Sequence, residues 1–299
     1  LWESTNDEDR ESFPFDPRII DWKKYVYDIH LPTVISQGRV KTSPSRSNAD
    51  ARNSRLRKQV LDPKRQLAVF DLENTLIASN VVSSWGYLAT KRLTPSERFR
   101  IIAKTLLEAP SMLAMDRRDR TDFLRNFYRK YEGASITQID EDSLDMFNEF
   151  ILTKSFPAAI RRVREHRSLG HRTILITGAL DFVVQPLRPL FDEILAPSLV
   201  KTGETYTGKM TQVPPIGETR AAVLREYAES QSIDLAESIA YADSTSDLPM
   251  LEAVGFPVAV NPETKLATLA RRRGWLVENF QPASGSPSKI LPLGTKKEF

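Results

Sequence analysis

The chain has 299 residues, 40% hydrophobic and 27% charged, with 42 Lys/Arg against 39 Asp/Glu, an ordinary balance for a globular protein of one large domain or two modest ones. No apolar run approaches the roughly 20 residues that cross a bilayer, so no transmembrane span is expected. Cysteine is absent, which excludes disulfides, thiolate nucleophiles and cysteine-ligated zinc; with no secretory signal in the opening residues, a cytoplasmic location is expected.

In chain order, residues 1–40 form an N-terminal arm whose "FDPRIIDWKKYVYDIHLP" is apolar and aromatic enough to dock on a surface, yet too short to fold alone. The chain begins at Leu1 rather than Met, as expected of a piece of something longer. Residues 41–65 carry eight Lys/Arg against Asp50 and Asp62 with no apolar periodicity, which predicts a basic flexible linker. The linker has no interleaved aromatics to stack on bases, so no nucleic-acid partner is expected.

From residue 66 to 281 short apolar runs alternate with helical patterns, the signature of a parallel sheet layered between helices. The predicted strands are "QLAVFD", "RTILIT", "DEILA", "SIAYAD", "FPVAV" and "GWLVEN". Between the first two, residues 81–154 show apolar periodicity in "WGYLATKRL", "RFRIIAKTLLEA" and "DFLRNFYRKY", which predicts an inserted helical cap. "SLVKTGETYTGKMTQVPP" predicts a small hairpin, "GETRAAVLREYAES" a helix, and 282–299 a C-terminal tail.

Three predicted strands end in chemistry. "AVFD" ends in Asp71, with Glu73 two places on; "ILIT" ends in Thr177, followed by Gly178; "IAYAD" ends in Asp243, with Asp247 one helical turn later. Ligands of parallel sheets bind beyond the carboxyl ends of the strands. Acids converging there with a hydroxyl and a glycine amide point to a hard divalent cation beside a phosphate.

"VFDLENTL", "LITGA" and "ADSTSDLPML", in that order around a helical insertion, resemble the haloacid dehalogenase superfamily, specifically its phosphoserine-phosphatase-like subfamily IB. "GALDFVVQPL" and the "GETYTG" hairpin look like the same branch. The resemblance implies a three-layer parallel α/β core with an inserted cap. It makes Asp71 the nucleophile that becomes an aspartyl-phosphate and Glu73 the general acid/base. Thr177 and Gly178 would hold the phosphoryl oxygens. Asp71, Asp243, Asp247 and the Glu73 backbone carbonyl would hold Mg²⁺.

Two positions depart from that pattern. The phosphatase branch has Asp where this chain has Glu73, and one added methylene changes the acid's reach by roughly 1 Å, a misplacement that can cost about 10²-fold in rate. Arg220 stands where the branch has a Lys that restrains nucleophile and phosphate; Lys201 or Lys209 of the hairpin are alternative sources of that charge. Separately, "IDWKKYVYDIHLP" resembles the C-terminal end of fatty acyl-CoA reductase-like proteins, which implies an upstream reductase-like domain as a partner.

The expected function is therefore a Mg²⁺-dependent phosphohydrolase acting on a small phosphorylated metabolite or lipid-linked phosphate. The competing expectation is a catalytically weak interaction domain in a reductase fusion. His30, His166 and His171 are expected to be structural, since none ends a strand. Trp85, Tyr87, Phe123, Phe127 and Tyr128 are expected in the cap core; the alternative is a cap that lines a substrate entrance, with Asn80, Ser83 and Ser84 nearest the catalytic strand.

Overall fold

The computed structural model describes residues 6–8, 20–33 and 48–283. The chain divides into two compact units, Leu1–Arg52 and Asn53–Phe299. In the first, residues 22–33 are helical, beginning at Trp22–Lys24, where Asp21 caps the start by accepting from the Lys24 amide at 3.0 Å. His30 lies in this helix with its ring stacked on Tyr25, a packing role.

The expected linker is in part a helix, α1 (Asn48–Val60). Its physical reason is the pair Leu56 and Val60, four residues apart, which face the core of the second unit and bury Val60. Arg57 on the same helix donates to Glu278 at 2.7 Å. Residues 41–47 of that segment and 284–299 of the tail lie outside the described residues.

In the second unit, β1 (Leu67–Phe70) is followed by the cap helices α2 (Val81–Thr90), α3 (Pro95–Arg118), α4 (Arg120–Tyr128) and α5 (Ile136–Met146). Then come α6 (Pro157–Ser168), β2 (Arg172–Ile176), α7 (Asp181–Val184), β3 (Glu193–Leu195) and the hairpin β4 (Leu199–Thr202) and β5 (Thr205–Met210). The chain closes with α8 (Gly217–Ser230), β6 (Ile239–Ala242), α9 (Leu248–Glu252), β7 (Phe256–Val260), α10 (Thr264–Arg273) and β8 (Leu276–Glu278). All six predicted core strands and the hairpin are present.

The six core strands form one parallel sheet in the order β3-β2-β1-β6-β7-β8. Alternate residues of β1 feed opposite faces: Ala68 and Phe70 join the layer containing α6 and the cap, whereas Leu67 and Val69 join the layer of α8, α9 and α10. A sheet buried on both faces needs apolar residues at every strand position, which is why these strands read as continuous apolar runs. The chain moves outward from β1 through β2 to β3, then returns to β6 on the other side of β1. The crevice for a ligand opens at that reversal.

The hairpin ties the cap to the core. The Gly133 amide donates to the Tyr206 carbonyl at 2.9 Å, the Tyr206 amide to Ala134 at 3.0 Å and the Ile136 amide to Glu204 at 2.9 Å. Gly208 has φ +70° and a Cβ there would sit 2.9 Å from the Arg129 backbone, so this approach of hairpin to cap requires glycine. Trp85, Phe123, Phe127 and Tyr128 are buried in the cap as expected, while Tyr87 is half-buried and hydrogen-bonded to Glu149 at 2.5 Å.

His166 and His171 are structural. They share a 2.8 Å contact between their Nδ1 atoms, and His166 Nε2 meets the Tyr241 hydroxyl at 2.7 Å beneath the sheet. Burial, with His171 and Arg162 nearby, pushes His166 down to about 2, so it is neutral in the folded protein.

Candidate active site

β1 delivers Asp71 at its carboxyl end, where the Asp71 amide donates to the Tyr241 carbonyl at 3.0 Å. The chain then turns sharply through Asn74, at φ +53°, a left-handed conformation that asparagine tolerates better than most residues. The turn is fixed by the Asn74 amide donating to Ile77 at 2.7 Å and by Asn261 Nδ2 donating to the Asn74 carbonyl at 3.1 Å. As a result Asp71 and Glu73 both line one cleft of about 270 Å³.

The ends of β2 and β6 supply the rest. Thr177 is buried, its Oγ1 accepting from the Ala179 amide at 3.1 Å. Gly178 is wedged so tightly that a Cβ would lie 3.1 Å from Leu124 and 3.2 Å from Ile216, and its carbonyl accepts from the Tyr128 hydroxyl of the cap at 2.8 Å. Asp243 follows β6, and Asp247 sits in the turn before α9 with Oδ2 accepting from Ser244 Oγ at 2.8 Å. Thr177, Gly178, Asp243, Ser244 and Asp247 all line the same cleft.

Arg220, in the first turn of α8, is the buried cation of the site. Its Nη1 lies 2.8 Å from Asp71 Oδ1 and also bonds Asp247 Oδ1, while its Nε donates to the Pro215 carbonyl at 2.9 Å. Burial works against its charge, but Asp247, Asp71 and Glu73 more than offset that and hold it protonated. A planar fork suits this position, because one group reaches two carboxylates and a carbonyl at once. Neither Lys201 nor Lys209 lines the cleft, so the hairpin lysines do not supply this charge. Lys201 instead borders a separate cleft with Asp181 and Tyr206.

The acids are crowded and dry. Burial raises Asp71 well above the usual carboxylate range, opposed by Arg220 and reinforced by Asp247 and Asp243. Burial and Asp247 raise Asp243 to about 7, with Asn74 pulling the other way. One carboxylate oxygen from each of Asp71, Asp243 and Asp247 lies within 4.8 Å of the others. Three hard oxygen donors whose mutual repulsion is only partly met by one guanidinium fit a small divalent cation such as Mg²⁺.

Glu73 points elsewhere. Its carboxylate is outside that triad and accepts from Arg120 Nη2 at 3.1 Å. Burial raises its pKa, while Arg120 and Arg220 lower it. Arg120 is the first residue of α4, set there by the N-cap Asp119, which accepts from the amides of Thr121 at 2.7 Å and Asp122 at 3.0 Å. Sequence reasoning missed Arg120, since nothing in its local pattern separates it from a solvated cap arginine. Sequence reasoning also missed Ser244, whose bond to Asp247 only the turn after β6 brings about.

Residues 68–252 match the haloacid dehalogenase-like hydrolase family. The chain belongs to that family. The hydrolase is 27% identical over 234 residues to a histidinol-phosphatase of Neisseria meningitidis, covering 73% of this chain and 100% of that protein. It is 27% identical over 245 residues to a phosphoserine phosphatase of Mycobacterium tuberculosis, covering 76% of each. A solved substrate-bound phosphoserine phosphatase superposes with a TM-score of 0.54 at 16% identity, over 73% of this chain and 94% of the other, a likeness of fold. The family match begins at residue 68 and gives no support to a reductase-like partner preceding the hydrolase. Among the described residues no helix is long and apolar enough to cross a membrane.

Proposed function

We propose that the hydrolase is a Mg²⁺-dependent phosphomonoesterase for a small phosphorylated metabolite or lipid-linked phosphate, working through an aspartyl-phosphate on Asp71. The observation that carries this is the Asp71 carboxylate, held by Arg220 at 2.8 Å in one cleft with Thr177, Gly178, Asp243 and Asp247. The two phosphatase relatives support the same class. A cytoplasmic setting agrees with the cysteine-free sequence.

Asp71 attacks phosphorus; the bond from phosphorus to the ester oxygen breaks, and that oxygen takes a proton from Glu73. Burial raises the pKa of Glu73 and so favours the protonated form this step needs. Water then attacks the aspartyl-phosphate, giving its proton back to Glu73, and Asp71 leaves as a carboxylate beside inorganic phosphate. Thr177 Oγ1 and the Gly178 amide hold phosphoryl oxygens, and Arg220 keeps the Asp71 carboxylate oriented. Asp71, Asp243 and Asp247, with the Glu73 carbonyl, would hold Mg²⁺, which would supply positive charge against the phosphoryl oxygens.

An inert interaction domain would gain nothing from two buried carboxylates and a half-buried third around one cation, because burying each charge costs several kcal/mol of desolvation. The test is hydrolysis of para-nitrophenyl phosphate with and without Mg²⁺. Wild type should turn over only with the metal. Asp71→Asn should fall to background, and beryllofluoride should form its adduct on Asp71. Turnover of Asp71→Asn within a few-fold of wild type would remove Asp71 from the reaction.

A further inference from the structure

Beside the acidic cleft the cap encloses a second cavity, of about 350 Å³, between α2, α3 and the start of α4. Val81 and Arg120 line both, so the two spaces meet at those residues. Ile101, Ile102, Ala109, Met112 and Phe123 make the second space apolar. The hydroxyls on its wall donate within their own helices: Ser83 to Asn80 at 3.0 Å, Thr90 to the Gly86 carbonyl at 2.7 Å and Thr105 to the Ile101 carbonyl at 2.8 Å. Among the described residues, charge enters the wall only at Asp116 and Arg120, which pair with each other at 3.3 Å.

We infer that this cavity receives the leaving group of the substrate, and that the substrate is a phosphomonoester carrying an unbranched or isoprenoid hydrocarbon chain. The inference rests on the phosphomonoesterase function proposed above and names its substrate class. A small polar leaving group such as an amino acid or amino alcohol would stop at Arg120 and leave the apolar space beyond it without a partner. A hydrocarbon chain would fill that space, which amounts to about a dozen water-sized groups at roughly 30 Å³ each. At the cavity's rim, Leu106 and Leu113 are seven residues apart on α3 and 54% and 56% exposed. Such a pair on one helix face is costly in water and is covered by the same chain. Arg120 then marks the boundary, with Glu73 and the phosphate on one side and the hydrocarbon on the other.

The test uses n-alkyl phosphonates from ethyl to dodecyl, below their critical micelle concentrations, whose carbon–phosphorus bond is not hydrolysed. Calorimetric affinity for the full chain with Mg²⁺ should rise about three- to four-fold per methylene and level off near about ten to twelve carbons. Gly86 lines the cavity, and a Cβ added there meets no heavy atom within 4 Å. Gly86→Leu, a better helix former than glycine, should therefore fold and should flatten the chain-length dependence. In turnover, the ratio of kcat/KM for octyl phosphate to that for O-phosphoserine should exceed about 10² in wild type and fall in the variant, as the per-methylene gain predicts. Flat phosphonate affinities, or a preference for O-phosphoserine, in a protein that hydrolyses para-nitrophenyl phosphate would overturn the inference and spare the phosphatase function. Chain-dependent binding without any phosphatase turnover would do the reverse. A series that strengthens equally in Gly86→Leu would place the chain outside this cavity and also overturn it.

Discussion

Replacing Arg220 by methionine removes the buried cation and keeps a side chain of similar length. In wild type the guanidinium lies 2.8 Å from Asp71, an attraction of about 6 kcal/mol at an effective dielectric of about 20. Without it, carboxylate oxygens of Asp71, Asp243 and Asp247 within 4.8 Å of one another would repel by about 3.5 kcal/mol per ionised pair on the same scale. The Pro215 carbonyl would also lose its donor. Desolvation relief for the lost charge offsets part of this, so the net destabilisation expected at pH 8 without metal is about 3–5 kcal/mol. The acids can escape by taking up protons. The raised pKa values of Asp71 and Asp243 mean that stability is present at low pH and lost as pH rises, so the deficit of Arg220→Met should shrink at pH 5 by up to about 1.4 kcal/mol per pH unit and proton. Mg²⁺ at pH 8 should restore part of it, since a divalent ion replaces the missing positive charge. Urea unfolding at pH 5 and pH 8, with and without Mg²⁺, measures all four states. A deficit below about 1 kcal/mol at pH 8, or one insensitive to both pH and Mg²⁺, would refute the placement of Arg220 as the counter-charge of the acid cluster.

Three further outcomes follow from the geometry. Glu73→Asp should lower kcat by about 10²-fold, because shortening the acid withdraws it from Arg120 and from the leaving oxygen; a rise in turnover would show instead that Glu73 is a decayed acid. For the metal-free protein, Asp243 at about 7 against an ordinary 3.8 is a burden that grows as pH climbs through that interval. Asp243→Asn should therefore be more stable than wild type at pH 8 in EDTA, by up to about 4 kcal/mol, yet bind Mg²⁺ more weakly by calorimetry; equal stability across pH 4–8 would show that Asp243 is not held in a dry, crowded site. Gly255→Ala, whose Cβ would fall 1.9 Å from the Ala236 carbonyl oxygen, should lower the unfolding free energy by about 1–3 kcal/mol, and a thermal melt indistinguishable from wild type would contradict the close packing of that turn.

Much of this protein was legible in its sequence. Continuous apolar runs set six strands in a parallel sheet, because a strand buried on both faces has no position to give to a polar residue. Asp71, Thr177 and Asp243 were legible as strand ends, since an apolar run that stops at a polar residue marks where the chain leaves the sheet. The helix hidden in residues 48–60 was less visible, because only Leu56 and Val60 carry its apolar face and eight basic residues are spread through 41–65.

Tertiary structure decided what depends on contacts distant in sequence. Arg120 meets Glu73 across 47 residues, and Arg220 meets Asp247 across 27, pairs that no local pattern encodes. The same holds for the partition of aromatic and aliphatic cap residues between a packed core and a lined cavity. Trp85 and Phe123 border the cavity while Phe127 and Tyr128 do not, although all four share helical spacing. Periodicity shows which side of a helix avoids water. Whether that side meets other side chains or an open space depends on how α2, α3 and α4 are placed, and their placement is fixed by the hairpin, the Asp119 cap and the tight approach at Gly178.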